Sequence, residues 1–263
     1  MGPRFDDGSA GDADYGRIGG RYAQYREPDP RIAASIRAAL GSVATLLNVG
    51  AGAGSYEPDD LVVTAVEPSA SMRAQRRPHL APAIDAPAEA LPFPRGHFDA
   101  SMATFTVHQW TDLRAGLAEM RRVTRGPVVI LSCDPDALEG FWLHEYAPEV
   151  TVVEAARYPP IATLVAALAG WTEVLRVPIP LDCRDGFNEA YYGRPERLLD
   201  EGARGACSGW SFVPPPAVDR FMIRLRRDLD DGTWDRRYGH LRKQPTFDGP
   251  LRLIVSRPLT AAP

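Results

Sequence analysis

Lysine is nearly missing from this chain: Lys243 is the only one in 263 residues, so arginine carries almost all the positive charge. The formal net charge is −4, which gives no general attraction to nucleic acid or to an anionic membrane. No run approaching the roughly 18 apolar residues of a membrane span occurs. The first residues, MGPRFDDGSAGDAD, lack the apolar centre of a secretory signal, and residues 1–14 read as a disordered, acidic tail. Cysteine is scarce too. Cys133, Cys183 and Cys207 are far apart and fit neither a paired disulfide framework nor a zinc spacing. Reduced thiols in a cytoplasmic protein are therefore expected, with no metal site.

What is present is ordinary for a globular protein: 44% hydrophobic and 24% charged residues, and enough chain for one large core. Short apolar runs alternate with helical patterns. ATLLNVG, LVVTAVEP, LAPAIDA, FDASMATF and GPVVILSCD read as strands. Asp29 before Pro30 suits the start of a helix running to Leu40. Leu113, Leu117, Met120 and Val123 recur at three- and four-residue spacing, which predicts an amphipathic helix. Such alternation implies an α/β fold, a doubly wound, mostly parallel sheet covered on both faces. Later, IATLVAALAG reads as a helix ending at Gly170, TEVLRVPIPLD as a strand and LRLIVSRP as the last strand. The expected organisation is a helical lid segment over 15–40, a core over 41–183, a helical cap over 184–250, and a final core strand over 251–263.

The stretch LLNVGAGAGSYE places Gly50, Gly52 and Gly54 two apart after the first strand. Glycines there let backbone amides approach a ligand closely. The dinucleotide fingerprint is G-x-G-x-x-G, and here the third glycine arrives one position early. Glu67, at the carboxyl end of the second strand, is placed to accept hydrogen bonds from both hydroxyls of a ribose. The early third glycine weighs against a nicotinamide-dependent dehydrogenase.

These residues resemble the class I S-adenosylmethionine-dependent methyltransferases, specifically the small-molecule group called type 11. LLNVGAGAGSYE looks like that family's first motif, VTAVEPSASM its second, DAPAEALPF its third and FDASMATFTVHQW its fourth; the resemblance spans about Tyr15 to Asp134. It implies a Rossmann-like seven-stranded sheet whose last strand is antiparallel, and S-adenosylmethionine as cofactor. By the same resemblance Gly50, Ala51, Gly52 and Gly54 pass beside the methionine portion, Glu67 holds the ribose, and Thr104 lies near the methionine portion through its backbone. Pro87 stands where relatives usually place a side chain that bonds the adenine amino group. That leaves the amide of Ala88, with Asp85 as a substitute. In RYAQYREPDP, Arg26 matches an arginine that pairs with the methionine carboxylate, and Tyr22 is a candidate beside the sulfonium or the acceptor.

The resemblance further implies methyl transfer to a small organic acceptor, with no nucleic-acid or membrane partner. Where base-methylating enzymes carry an Asn/Asp-Pro-Pro-Tyr-like tetrad, this chain reads TFTV. His108, in TVHQW after the fourth strand, is the candidate general base or acceptor ligand, and Trp110 a candidate pocket wall. Trp142, Tyr191 and Tyr192 are candidate substrate contacts in the cap, among acidic neighbours that include Glu145, Asp182 and Glu189. The Ala-, Gly-, Pro- and Arg-rich composition is that of a GC-rich bacterial gene, and a natural-product acceptor is expected. The rival expectation is a methyltransferase-fold protein that binds the cofactor for a non-methylating or regulatory role.

Overall fold

The computed structural model describes residues 6–8 and 22–259. Most of the expected acidic tail and the first part of the expected lid lie outside these residues, as does the side chain of Tyr22. Five of the runs read as strands form: β1 Thr45–Val49, β2 Val62–Val66, β3 Ala100–Thr104, β4 Val128–Cys133 and, later, the largely exposed β5 Trp171–Arg176. With β6, Leu251–Arg257, they make a six-stranded sheet in the order β2-β1-β3-β4-β6-β5. β1 pairs in parallel with β2 and β3, and β3 with β4, whereas β6 runs antiparallel to both β4 and β5. Every residue of β4 is buried, as a central strand covered on both faces requires.

The seventh strand shrinks to one residue. LAPAIDA contributes only a parallel bridge from Ile84 to Val66. Pro82 and Pro87 flank it without backbone N–H groups, so the ladder at this edge cannot extend.

The helices are α1 Tyr22–Tyr25, α2 Pro30–Leu40, α3 Ala70–Arg73, α4 Leu113–Val123, α5 Leu143–Tyr146, α6 Pro148–Arg157, α7 Ile161–Ala167, α8 Glu201–Gly205, α9 Pro215–Asp230 and α10 Thr233–Tyr238. Asp29 caps α2, accepting the Arg31 amide at 2.9 Å, with Pro30 in the first turn. Leu117, Met120 and Val123 of α4 are fully buried against β3 and β4, as their spacing predicts.

The cap is larger than expected from sequence. α5 and α6, inside the span read as core, pack with α9 and the turn at Ser208–Phe212. Trp142, expected at the acceptor, is instead a core residue. It stands edge-on to Trp234 at 5.6 Å and donates its indole N–H to the Tyr192 carbonyl at 3.0 Å. Tyr192 stacks on Phe247 and donates to the Gln244 carbonyl; Tyr191 is buried beside Gly186. All three aromatic residues belong to the buried cluster that also takes in residues of β1, β3, β4 and β6. The charged run RRDLDDGTWDRRYGH is not only a solvated surface either, since it carries the fully buried Trp234 and a buried Asp228 bonded to Tyr146 Oη at 2.9 Å.

Candidate active site

The sheet order reverses between β1 and β3, and a cleft opens there at the carboxyl ends of the strands, where open α/β sheets hold ligands. It encloses about 770 Å³ including its open mouth. Gly50, Gly52 and Gly54 all adopt positive φ, at 67°, 52° and 92°. The turn after β1 needs these left-handed conformations to pass close beside the cleft, which Gly50 and Gly52 line, whereas Gly54 lies on the neighbouring surface pocket. At Gly50 a Cβ would also stand 2.1 Å from Thr106 Oγ1 and 2.9 Å from Thr106 Cβ. Gly50→Ala is therefore expected to lower stability by about 1–3 kcal/mol, from strain and overpacking together. Chemical denaturation checks this; an unchanged midpoint would show that the loop yields without cost.

Glu67 sits at the end of β2 with its carboxylate fixed from two sides. Oε2 accepts the Gly52 amide and Oε1 the Ser69 amide, both at 2.8 Å. Burial pushes this carboxyl above the usual range, and the Ser69 and Gly52 amides and Arg73 pull it partly back. Asp7 closes the neighbouring turn, accepting from Ser69 Oγ at 2.6 Å and Ser71 Oγ at 2.5 Å. Asp85 takes no part in the cleft: it is exposed and paired with Arg73 at 3.1 Å. Pro87 and Ala88 do line the cleft, with Glu89 beside them. Ala51, Thr104 and Trp110 also line it. Trp110 fits because α4 presents Gly116 to it; a Cβ there would meet the indole at 2.5 Å.

Several wall residues were not singled out from sequence, among them Met72, Phe105, Thr106 and Gln109. Gln109 is 7% exposed, and neither its amide oxygen nor its nitrogen has a partner. A buried amide with both atoms unsatisfied at a cleft wall is suited to a polar ligand. Its only sequence signal is its place in TVHQW, between His108 and Trp110.

His108 faces away from this cleft. The single turn Val107–Gln109 sends His108 into a second, inner chamber between the sheet and the cap. Phe105 borders both spaces. It is a non-glycine residue at φ 52°, a strained conformation of the kind found where function over-determines geometry. Burial lowers the His108 pKa to about 3, so its imidazole is neutral at working pH. Such a weak base gains little by taking a proton, but it remains a capable hydrogen-bonding group. The inner chamber also carries Glu154 and Glu189, two buried carboxyls.

Arg26 borders the inner chamber and does not line the glycine cleft. Its guanidinium binds Asp185 through Nε, and its backbone forms an antiparallel bridge with the same residue. The ring of Phe105 lies 5.1 Å from the guanidinium carbon. The structure thus commits Arg26 to a protein carboxylate instead of presenting it to the cleft.

Comparison with known proteins places this geometry. The profile of the methyltransferase domain family matches residues 47–130. No curated protein sequence matches the chain at a significant level. Among solved structures, a protein of Anabaena variabilis described as a methyltransferase from an antibiotic biosynthesis pathway is 29% identical, with a TM-score of 0.84 over 89% of this chain and 99% of its own. A SAM-dependent methyltransferase of Thermotoga maritima, 13% identical over 93% of this chain and 97% of its own, shares the fold with a TM-score of 0.54. The YcgJ protein of Bacillus subtilis, 16% identical over 88% and 99%, does so at 0.52. The matched methyltransferase domain spans the glycine turn, Glu67 and the β3 loop, and with the 29% identical relative it supports a class I S-adenosylmethionine-dependent methyltransferase that uses S-adenosylmethionine as its cofactor.

Proposed function

We propose that the glycine cleft is the cofactor site and that the enzyme methylates a small organic acceptor entering from the side of the inner chamber. The observation that carries this reading is the pairing of Glu67, locked by the Gly52 and Ser69 amides, with the unsatisfied amide of Gln109 in one cleft. The cofactor supplies a methyl group on a sulfonium, already activated for displacement. The chain's part is then alignment and exclusion of water. Glu67 accepts from the ribose hydroxyls. The turn of Gly50, Ala51, Gly52 and Gly54 and the β3 end at Thr104 border the methionine portion, while Pro87 and the amide of Ala88 border the adenine. Phe105 separates cofactor from acceptor space, and Trp110 closes one wall of the cleft.

His108 serves the acceptor as a neutral hydrogen-bonding partner, the role its depressed pKa leaves it. Likeness to a protein described as belonging to an antibiotic pathway supports a natural-product acceptor. Three buried free thiols suit the reducing cytoplasm. Among the described residues no helix is long and apolar enough to cross a membrane, and no cluster of metal-ligating side chains occurs.

Calorimetric titration with S-adenosylmethionine, S-adenosylhomocysteine and NADH tests the reading. Binding of the two sulfur compounds at about micromolar Kd, and none of NADH, is the expected result. Folded protein that binds neither sulfur compound would remove the cleft as the cofactor site.

A further inference from the structure

Two polar atoms in the wall of the inner chamber have no partner: Oε1 of Glu189 and Nδ1 of His108. Glu189 is only 2% exposed. A carboxylate oxygen withdrawn from water with no donor facing it carries a desolvation cost, which a ligand's donor or cation offsets. Its companion Glu154 is already engaged. Glu154 Oε1 accepts from Asn188 Nδ2 at 3.1 Å, and Asn188 Oδ1 is held by the Trp210 indole at 2.9 Å. Two carboxyls therefore border one enclosed space, and one of them has an oxygen to spare. The remaining walls include the rings of Phe105, Phe187 and Tyr158.

We infer that the inner chamber is the acceptor subsite and that it takes an arylalkyl amine, its ammonium seated on Glu189 and its ring among Phe105, Phe187 and Tyr158. Glu189 takes the ammonium proton, and the freed nitrogen takes the sulfonium methyl with S-adenosylhomocysteine as the leaving group. Only in calling this occupant the acceptor does the inference rest on the cofactor cleft proposed above.

Charge selects the amine over its isosteres. Burial and the nearby Glu154 raise the Glu189 carboxyl to about 8, and burial raises Glu154 as well. A cation brought to the pair favours its ionised form, because it offsets both the burial and the repulsion between the two carboxylates. The other charged or titratable groups facing it are accounted for. Arg26 is bound to Asp185, and Arg157 donates to Ser208 Oγ at 2.9 Å. His108 is neutral, and burial keeps Cys133, Cys207 and Tyr158 protonated. A carboxylate ligand would add negative charge to this space. An alcohol satisfies the free oxygen but brings no charge to favour ionisation of the pair, which among the described residues otherwise has only the guanidinium groups of Arg26 and Arg157 nearby. An ammonium does both, and the aromatic faces favour a cation close by.

The test is calorimetric titration of the full chain with 2-phenylethylamine, 2-phenylethanol and phenylacetate, with and without saturating S-adenosylhomocysteine. The amine is expected to bind about tenfold or more tighter than the alcohol, with phenylacetate weakest. Glu189→Gln is expected to erase that preference while S-adenosylhomocysteine affinity stays within about twofold. Equal binding of the three probes by the wild-type chain, no amine binding, or a preference that survives in Glu189→Gln overturns the inference. The wild-type ranking decides the matter even if the variant does not fold. A Glu189-dependent amine preference without S-adenosylhomocysteine binding would uphold the amine site and overturn the cofactor reading; cofactor binding without any amine preference would do the reverse.

Discussion

Asp185→Ala is expected to destabilise the protein by about 3–5 kcal/mol, the cost typical of removing one partner of a buried ion pair. Asp185 is 2% exposed and the Arg26 side chain 10%, so water screens little of their interaction. The carboxylate receives Arg26 Nε on one oxygen; on the other it receives Arg26 Nη2 at 3.5 Å and the Tyr56 hydroxyl at 2.7 Å. Alanine would take the buried carboxylate from the guanidinium and orphan the Tyr56 donor at once. It would also loosen the backbone bridge joining Arg26 to Asp185, next to which the Gly186 amide donates to the Tyr25 carbonyl at 2.8 Å. Asp185→Asn keeps an acceptor for one donor and should cost less. Guanidinium denaturation of the two variants checks the order, and a loss below about 1 kcal/mol in Asp185→Ala would show that water or a rearranged side chain replaces the carboxylate. Because Phe105 and Phe187 pack around this arginine, at 5.1 and 5.9 Å from its guanidinium carbon, Asp185→Ala should also disturb the partition between the two cavities.

The second large effect belongs to Glu67. Replacing it by alanine is expected to weaken S-adenosylmethionine binding by about 1–3 kcal/mol, or roughly 5- to 150-fold, through loss of charge-assisted hydrogen bonds. The same change frees the Gly52 and Ser69 amides, so part of the loss will come from the turn itself. A melting curve separates the two contributions: loss of affinity with little loss of Tm points to direct contact. Glu67→Gln, close in shape, should fall between, because its amide NH2 would face one of those backbone donors. An affinity within twofold of wild type in a folded Glu67→Ala variant would take this residue out of the site.

The sequence alone determined the elements and the cleft. Apolar runs, the Asp29–Pro30 start of α2, and the spacing along α4 are local signals, and the structure follows them because each segment's own pattern decides which face is buried. The glycine turn and Glu67 were legible for the same reason: each lies within a few residues of the strand end that places it. Even the shortfall at Ile84 is local, set by its flanking prolines.

Contacts between distant segments are legible only in the folded chain. Nothing in TVHQW tells that one turn sends His108 to the inner chamber and leaves Gln109 and Trp110 on the cleft, since a single turn has no periodicity to read. Trp142, Tyr191 and Tyr192 read as substrate contacts because aromatic composition is the same in a core and in a binding site; Trp142 packs on Trp234, Tyr192 on Phe247 and Tyr191 on Gly186, all in the core. Arg26 could be matched to a ligand carboxylate in sequence, but folding brings Asp185, 159 positions away, to the same guanidinium. Glu154 and Glu189 belong to different segments, and only their shared burial turns two ordinary glutamates into a site. Charge pairing and desolvation are properties of the assembled interior, where the chain's order no longer indicates who is near whom.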